Sequence, residues 1–181
     1  RTLSQKRILL ALALCLSAGL TVAATIEARV VGVSDGDTVT VLDAAKVQYK
    51  VRLTGIDAPE KAQPFGQRAK QNLLANWVFG KQMQVETDKN DLYGRTLGKV
   101  VVNGLDANLE QVKAGFAWHY TTYAGEQPAA DRERYASAET LARNQRLGLW
   151  RDAAPMPPWD WRSCRRHKPG TEAMDCQMPR R

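Results

Sequence analysis

The feature that most constrains this chain is a run of three strand-like segments joined by short turns between residues 25 and 54. Thr25 to Val33 and Thr38 to Leu42 are rich in β-branched residues, which favour strands. Apolar and polar side chains alternate from Val47 to Thr54, which is typical of a half-buried strand. Because the turns between these segments are short, we expect an antiparallel meander.

The rest of the body alternates between helical and strand patterns. Apolar residues at 3.6-residue spacing predict helices over residues 66–79 and 129–146, and alternation predicts strands over 81–87 and 97–102. Asp106 can cap a further short helix that carries Leu109 and Val112 and ends at Gly115. The last helix is predicted to bury Tyr135, Ala138, Leu141 and Ala142. The order of elements predicts an α+β, mainly β fold built on a five-stranded, partly open Greek-key barrel of the OB type.

The N-terminal segment has the pattern of a secretory signal peptide. Basic residues precede the apolar run Ile8 to Leu20, and small residues follow it up to Ala24. A retained membrane anchor is the alternative, but the apolar run is too short to span a bilayer. We therefore expect a signal peptide over residues 1–24, a folded domain over 25–158 and a basic tail over 159–181. The mature protein would be periplasmic or extracellular, without stable membrane association.

The positive charge of the chain lies mostly outside the predicted folded domain. The formal net charge is +7, and residues 1–24 carry three of the cations. Of the remaining +4, a charge of +3 lies after Pro158, so the folded body is close to neutral. Basicity is therefore weak evidence for nucleic-acid binding, and any such function must rest on a specific site.

Two cysteines remain after signal cleavage, Cys164 and Cys176. In an oxidising compartment, a pair this close predicts a disulfide that closes a small loop. A zinc site that also uses His167 is the alternative, although the sequence offers no fourth ligand nearby.

Carboxylates mark the ends of the predicted strands. Asp35 and Asp37 precede the second strand, and Asp57 and Glu60 follow the third. Neighbouring antiparallel strands start and end at the same edge of a sheet, so Asp37 and Asp57 can converge. Two carboxylates, a backbone carbonyl and water are hard oxygen ligands that suit Ca²⁺ or Mg²⁺. The absence of a nearby cysteine or histidine cluster in the sequence disfavours zinc and copper.

Two arginines complete the candidate set. Arg52 lies in the strand that leads to Asp57, and Arg95 follows a Tyr-Gly pair. A guanidinium can bind two phosphate oxygens and stabilise the charge that develops on them. A metal, two arginines and a spare carboxylate, Glu60, that acts on water are the parts that phosphodiester hydrolysis requires. Taken singly, each part also fits an ordinary turn or a solvated strand face, and their joint occurrence favours a site.

These motifs resemble the staphylococcal nuclease (thermonuclease) family. The matching segments are Asp35-Gly36-Asp37-Thr38-Val39, Arg52-Leu53 with Asp57-Ala58-Pro59-Glu60, and Asp91-Leu92-Tyr93-Gly94-Arg95. The resemblance extends from about Glu27 to Trp150. It implies an OB-fold barrel and a Ca²⁺-dependent endonuclease that hydrolyses DNA and RNA with little sequence preference, leaving 3′-phosphate ends. We expect a monomer whose partner is its nucleic-acid substrate, and Mg²⁺ or another divalent cation is a second choice of cofactor.

The resemblance also implies a role for each matching residue. Asp37 and Asp57 would be side-chain Ca²⁺ ligands, the backbone carbonyl of Ala58 would be a third ligand, and Asp35 would lie close to the metal without binding it. Glu60 would act on the attacking water as base or orienter.

The same resemblance implies which residues contact the phosphate and the nucleotide. Arg52 and Arg95 would bind the phosphate and stabilise its transition state, and Tyr93 would line the nucleotide pocket. Tyr120 and Tyr123 stand in place of a Tyr-x-Tyr pair, so they are weaker candidates for base stacking.

Two other functions are compatible with such a domain. A non-catalytic OB module that binds nucleic acid would be expected to lack some of the five acidic and arginine positions, whereas this chain retains all of them. A phosphodiesterase acting on small nucleotides, or a structural domain, is the third hypothesis, and digestion of a long polymer would distinguish it from a nuclease.

Overall fold

The computed structural model describes residues 24–78, 80–167 and 176. The strands in this part of the chain are β1 Ala24–Asp35, β2 Thr38–Asp43, β3 Gln48–Leu53, β4 Ile56–Asp57, β5 Gln82–Asn90, β6 Thr96–Val102, β7 Leu105–Asp106 and β8 Trp118–His119. The α-helices are α1 Gly66–Asn72, α2 Ala107–Lys113, α3 Ala129–Asn144 and α4 Pro158–His167. A π-helical turn, Leu73–Val78, continues α1, and 3-10 turns span Thr121–Glu126 and Gly148–Arg151.

Five of the strands form a closed barrel. The meander β1–β2–β3 is antiparallel, as the sequence predicts, and β5 pairs with both β1 and β6. A parallel pairing of β3 with β6, from Val51 opposite Thr96 to Leu53 opposite Gly98, closes the barrel. The predicted α+β, mainly β class with an OB-type barrel is therefore confirmed, and the barrel is closed where a partly open one is predicted. Antiparallel pairing of β4 with β8 adds a small second sheet.

The barrel interior follows from the alternation of side chains along the strands. The inward positions are filled by buried aliphatic side chains: Val30, Val39, Val41, Val51, Leu53, Val85 and Val100. Gly98 lies where the wall is too close for a side chain, because a Cβ there would be 2.6 Å from the Val85 Cγ1 atom. Glycine at this point lets β3, β5 and β6 approach one another.

Helix α2 is fixed to the barrel by a buried polar contact. The Asp106 carboxylate caps the helix by accepting a hydrogen bond from the Leu109 amide at 3.0 Å, as the sequence predicts. Its other oxygen accepts a hydrogen bond from the Tyr135 hydroxyl on α3 at 2.8 Å. Burial raises the pKa of Asp106 above its usual value. The hydroxyl of Tyr135 thus compensates a carboxylate that burial has removed from water.

The packed face of α3 is narrower than predicted. Tyr135, Ala138 and Ala142 are buried, in agreement with the sequence, but Leu141 is 59% exposed and the prediction for it is wrong. The buried residues lie at spacings of three and four, which keep them on one side of the helix. Leu141 lies beside that stripe, at the rim of a groove that also contains Leu109 and Lys113.

The segment predicted as a basic tail, residues 159–181, begins within a helix, because residues 158–167 form α4.

The predicted signal peptide, residues 1–24, lies outside the described residues except for Ala24, which begins β1. Within residues 24–78 and 80–167, no helix has the length and hydrophobicity needed to cross a membrane.

The predicted disulfide is confirmed. Cys164, in α4, is bonded to Cys176, with the two Cα atoms 5.9 Å apart. A zinc site would need both sulfurs as free thiolates, so the zinc alternative is wrong. The bond ties the end of α4 to the C-terminal segment.

Replacing Tyr135 with Phe should destabilise the protein by about 1–3 kcal/mol, because one oxygen of the buried Asp106 carboxylate loses its donor. Urea unfolding measures the loss. The matched control is Tyr49→Phe, which removes a hydroxyl bonded to Asp43 at the surface and should cost about 0.5 kcal/mol or less. Equal losses in the two variants would contradict the role given to Tyr135.

Candidate active site

The turn between β1 and β2 brings Asp37 to the edge of the barrel. A Cβ on Gly36 would lie 2.7 Å from the Cβ atoms of both Ala58 and Ala69, so only glycine lets the turn lie between β4 and α1. The Asp37 carbonyl accepts a hydrogen bond from the Leu53 amide at 2.8 Å, and its carboxylate accepts one from the Ala58 amide at 2.6 Å. Asp37 is therefore fixed to the ends of both β3 and β4.

Arg52 holds Asp37 and Asp57 together. Its guanidinium lies 2.7 Å from Asp37 Oδ2 and 2.8 Å from Asp57 Oδ1. All three side chains are largely buried, with exposed fractions of 15%, 7% and 1% for Arg52, Asp37 and Asp57. The convergence of two carboxylates that are twenty residues apart, expected from the meander, is thus present in the structure.

The electrostatics of this group favour added positive charge. Burial raises the pKa of Asp37 to about 8, and Arg52 only partly opposes the effect because Asp35 and Asp57 add negative charge nearby. Burial alone would lower the pKa of Arg52, but Asp37 and Asp57 outweigh it and the pKa is raised. One guanidinium therefore does not fully compensate the carboxylates.

Asp35 and Glu60 flank this group in different ways. Asp35 is half-buried and accepts a hydrogen bond from the Asp37 amide at 3.2 Å, so its side chain shapes the turn. Glu60 is 38% exposed, and its amide donates to Gln63 Oε1 at 3.1 Å. Glu60 is therefore the carboxylate of the group that is most accessible to solvent and substrate.

A residue that the sequence analysis did not select also lies here. Arg162, on α4, contacts Asp57 Oδ2 at 2.7 Å, Asp57 Oδ1 at 3.1 Å and Glu60 Oε1 at 2.8 Å. The tryptophans and the cysteine pair around Arg162 indicate a docked segment, but nothing in the sequence says against which surface. The structure thus adds a second arginine to the group of Asp37, Asp57 and Glu60.

Arg95 is not in direct contact with these carboxylates in the structure. It lies just before β6, and its Nε pairs with Asp91 Oδ2 at 2.7 Å. The next residue, Thr96, is opposite Val51 in the parallel ladder, which places the Arg95 backbone beside the strand that carries Arg52. Arg95 therefore lies directly before the neighbouring strand, and its side chain is turned toward its own loop.

The candidate nucleotide-contacting tyrosines lie in two places. Tyr93 is 85% exposed on the loop before β6, where the Arg95 guanidinium lies 5.6 Å from its ring centre. Tyr120 and Tyr123 stack edge to face with ring centres 5.5 Å apart. The Tyr120 amide donates to the Gly55 carbonyl at 2.9 Å, so this aromatic pair follows a strand paired with β4.

Two buried amides on α2 support the site from behind. Gln111 donates to the carbonyls of Gly36 and Ala69, at 2.8 and 3.0 Å. Asn108 accepts from the Val100 amide and donates to the Thr54 carbonyl at 3.0 Å. Neither residue is among the site residues predicted from the sequence. Polar side chains on the barrel-facing side of a short helix were the available signal.

The donor set fits a hard divalent cation. In the described part of the chain no three His, Cys, Asp or Glu side chains gather as a metal-binding set, so the protein offers a carboxylate pair, Asp37 and Asp57. Their oxygens contact the two terminal nitrogens of one guanidinium, so both carboxylates already face a common positive charge. Carboxylates completed by backbone carbonyls and water suit Ca²⁺ or Mg²⁺.

The structure is a closed OB-type barrel with two carboxylates and an arginine buried at one edge. The model of the staphylococcal nuclease homologue family matches residues 50–152, which is more than half of the chain. The chain belongs to this family, as its motifs suggest, and is a hydrolytic nuclease.

Similar proteins agree with this assignment. The chain is 42% identical over 142 residues to an uncharacterized endonuclease of Escherichia coli O157:H7, covering 77% of this chain and 86% of the relative. It is 41% identical over 134 residues to an uncharacterized endonuclease of Haemophilus influenzae, covering 74% and 71%. It is 40% identical over 148 residues to a micrococcal nuclease of Shigella flexneri, covering 77% and 82%.

Replacing Gly36 with Ala should force the β1–β2 turn away from Ala58 and Ala69. We expect a loss of about 1–3 kcal/mol in unfolding free energy from overpacking, and weaker binding of a divalent cation because Asp37 moves with the turn. Urea unfolding and calorimetric titration measure the two effects. Gly125→Ala is the control, since a Cβ there meets no atom within 4 Å. If the two variants behave alike, the turn is not packed as described.

Proposed function

We propose that this protein is an exported, Ca²⁺-dependent endonuclease that hydrolyses DNA and RNA with little sequence specificity and leaves 3′-phosphate ends. The observation that carries the proposal is the group of buried Asp37 and Asp57 held by Arg52, with the accessible Glu60 linked to Asp57 through Arg162. Membership of a nuclease family supports the substrate class.

Asp37 and Asp57 would hold the cation, together with the backbone carbonyl of Ala58. A bound Ca²⁺ would polarise the phosphate and help stabilise the charge that develops on it. Hydrogen bonds from Ala58 to Asp37 and from Leu53 to Asp37 keep the carboxylate in place before the cation binds. Asp35 would act indirectly, by holding the turn and by adding negative charge beside Asp37.

Glu60 would orient or deprotonate the water that attacks phosphorus. Its carboxylate is the most exposed of the group, and the water must reach it from the substrate side. Arg52 would bind a nonbridging phosphate oxygen at the cation-binding edge. Arg95 would bind another after leaving Asp91, which its position beside β3 permits.

Exposed aromatic rings would contact the nucleotide. Tyr93 projects into solvent beside Arg95, which supports a role in the nucleotide pocket. Near β4, the exposed Tyr123 and the half-buried Tyr120, which packs against Trp159, would stack with bases without reading sequence. Contacts to phosphate and ring faces, rather than to base edges, are the basis for low sequence specificity.

Export is supported by two independent features. Residues 1–24 have the pattern of a signal peptide, and the mature part contains a disulfide between Cys164 and Cys176. Such a bond persists in a periplasmic or extracellular environment. We propose one of these locations and a monomeric enzyme.

Replacing Glu60 with Gln should reduce kcat by about 10²–10⁴-fold, because the amide cannot accept the proton of the attacking water. Cleavage of denatured DNA under saturating Ca²⁺ is the measurement. Glu133→Gln, an equal change at an exposed position on α3, is the control and should keep full activity. Full activity of the Glu60→Gln variant would refute the role of Glu60.

Cleavage should require a divalent cation, because the carboxylate pair otherwise lacks the charge needed to bind a phosphate. We expect activity on single-stranded DNA, duplex DNA and RNA with Ca²⁺, and none with EDTA, with 3′-phosphate ends detected by mass spectrometry. Undiminished cleavage in EDTA would refute the metal site. Binding of the polymer without cleavage under any divalent cation would instead favour the non-catalytic module.

A further inference from the structure

Helix α4 is firmly attached to the nuclease domain. The chain that enters it is held where Gln63 Nε2 donates to the Met156 carbonyl at 2.7 Å. Trp159 packs against Trp118 and Tyr120, with ring centres 5.6 Å apart in both pairs. Trp161 is buried, with an exposed fraction of 3%. These contacts make α4 part of the folded domain rather than a loose end.

The far end of the helix is fixed by a covalent bond. Cys164 lies two residues after Arg162 and is bonded to Cys176. Packed tryptophans before Arg162 and the disulfide after it leave the backbone at this position little freedom. The Arg162 side chain, in contrast, is 36% exposed and keeps several rotatable bonds.

The guanidinium of Arg162 bridges two carboxylates of the site, Glu60 and Asp57, and Arg52 also contacts Asp57. One of its nitrogens lies 2.7 Å from Asp57 Oδ2, and the other lies 3.1 Å from Asp57 Oδ1 and 2.8 Å from Glu60 Oε1. Arg162 therefore makes a bidentate contact with Asp57, a candidate metal ligand, and a single contact with Glu60, which would act on the attacking water. Glu60 cannot approach a substrate water freely while this contact persists.

Cation binding must disturb the contact. Both oxygens of Asp57 are already occupied, one of them by Arg52 and Arg162 together. A divalent cation and a guanidinium repel each other and compete for the same lone pairs, so Asp57 cannot serve both fully. If Asp37 and Asp57 held a cation, Arg162 would lose at least part of its two-point contact with Asp57.

The released side chain would remain beside the reaction centre because its helix is fixed. Glu60 must lie within reach of the attacking water, and Arg162 lies within hydrogen-bond distance of Glu60. A phosphate that reacts with the water held by Glu60 would therefore lie within reach of the Arg162 guanidinium. A guanidinium binds two phosphate oxygens in the same forked geometry.

We propose that Arg162 is a further substrate-binding residue of this nuclease, supplied by the disulfide-bonded helix α4. In the free protein it neutralises Asp57 and Glu60, and on binding of cation and substrate it transfers to a phosphate oxygen. This inference rests on the proposed function of the carboxylate group as a metal-dependent phosphodiesterase site. It adds to that site a residue that lies outside the matched family segment, residues 50–152.

The test compares the purified Arg162→Gln variant with wild type by two measurements. Without nucleic acid, Ca²⁺ titration calorimetry should give a dissociation constant lower by about threefold or more, because a competing cation has been removed. With saturating Ca²⁺ and single-stranded DNA, kcat/KM should fall by about 10–100-fold, mainly through KM. The dependence of log(kcat/KM) on log salt should become shallower by about 0.7, as expected for one lost phosphate contact.

Two variants serve as controls. Arg166→Gln makes the same change of charge at an exposed position on the same helix, and should leave both constants within about twofold of wild type. Arg162→Lys keeps the positive charge but cannot make a bidentate contact, so its kcat/KM should lie between those of Arg162→Gln and wild type. Thermal unfolding of each variant checks that α4 remains docked.

The outcomes separate this inference from the proposed function. If wild type binds Ca²⁺ and cleaves DNA, but Arg162→Gln matches Arg166→Gln in either measurement, the role of Arg162 is refuted and the proposed function stands. If wild type neither binds a divalent cation nor needs one for cleavage, the proposed function itself fails. Tighter Ca²⁺ binding together with a KM-dominated loss, partly rescued by lysine, supports the inference.

Discussion

The arrangement of this site depends on one buried interaction, the guanidinium of Arg52 between Asp37 and Asp57. Two carboxylates with exposed fractions of 7% and 1% would repel each other and suffer desolvation without it. Arg52 offsets only part of that cost, as the raised pKa of Asp37 shows. Arg162 adds a second guanidinium, but the three carboxylates of Asp37, Asp57 and Glu60 still outnumber the two guanidiniums, and this excess would favour a divalent cation.

The barrel stabilises the position of these carboxylates because backbone and side-chain amides form hydrogen bonds to the ends of its strands. The Asp37 carbonyl accepts a hydrogen bond from the Leu53 amide at the end of β3, and its carboxylate accepts one from the Ala58 amide. Behind it, Gln111 fixes Gly36 and Asn108 fixes the residue after β3. Buried polar groups that are all paired hold one geometry more strictly than apolar packing does. The position of the carboxylates is thus a property of the whole barrel edge.

Helix α4 changes how the domain is delimited. The segment after Pro158 reads as a basic tail in the sequence, yet it places Arg162 on Asp57 and Glu60. Its attachment uses Trp159 and a disulfide, both of which stabilise a short helix that could not persist alone. One of the cations that appear peripheral in the composition, Arg162, therefore lies against two acidic residues of the site.

The sequence by itself determined the local structure and much of the site. The alternation of apolar and polar side chains predicts the antiparallel meander, and Asp106 as a helix cap predicts the start of α2. The positions of Asp37 and Asp57 at strand ends indicate that the two carboxylates meet. Periodicity is a local property, so it could not reveal the parallel closure of β3 with β6 or the exposure of Leu141. Only the tertiary structure decided that Arg95 pairs with Asp91 and that Arg162 reaches Asp57 from 105 residues away. Such contacts depend on how elements pack in space, and no short-range pattern in a single sequence carries that information.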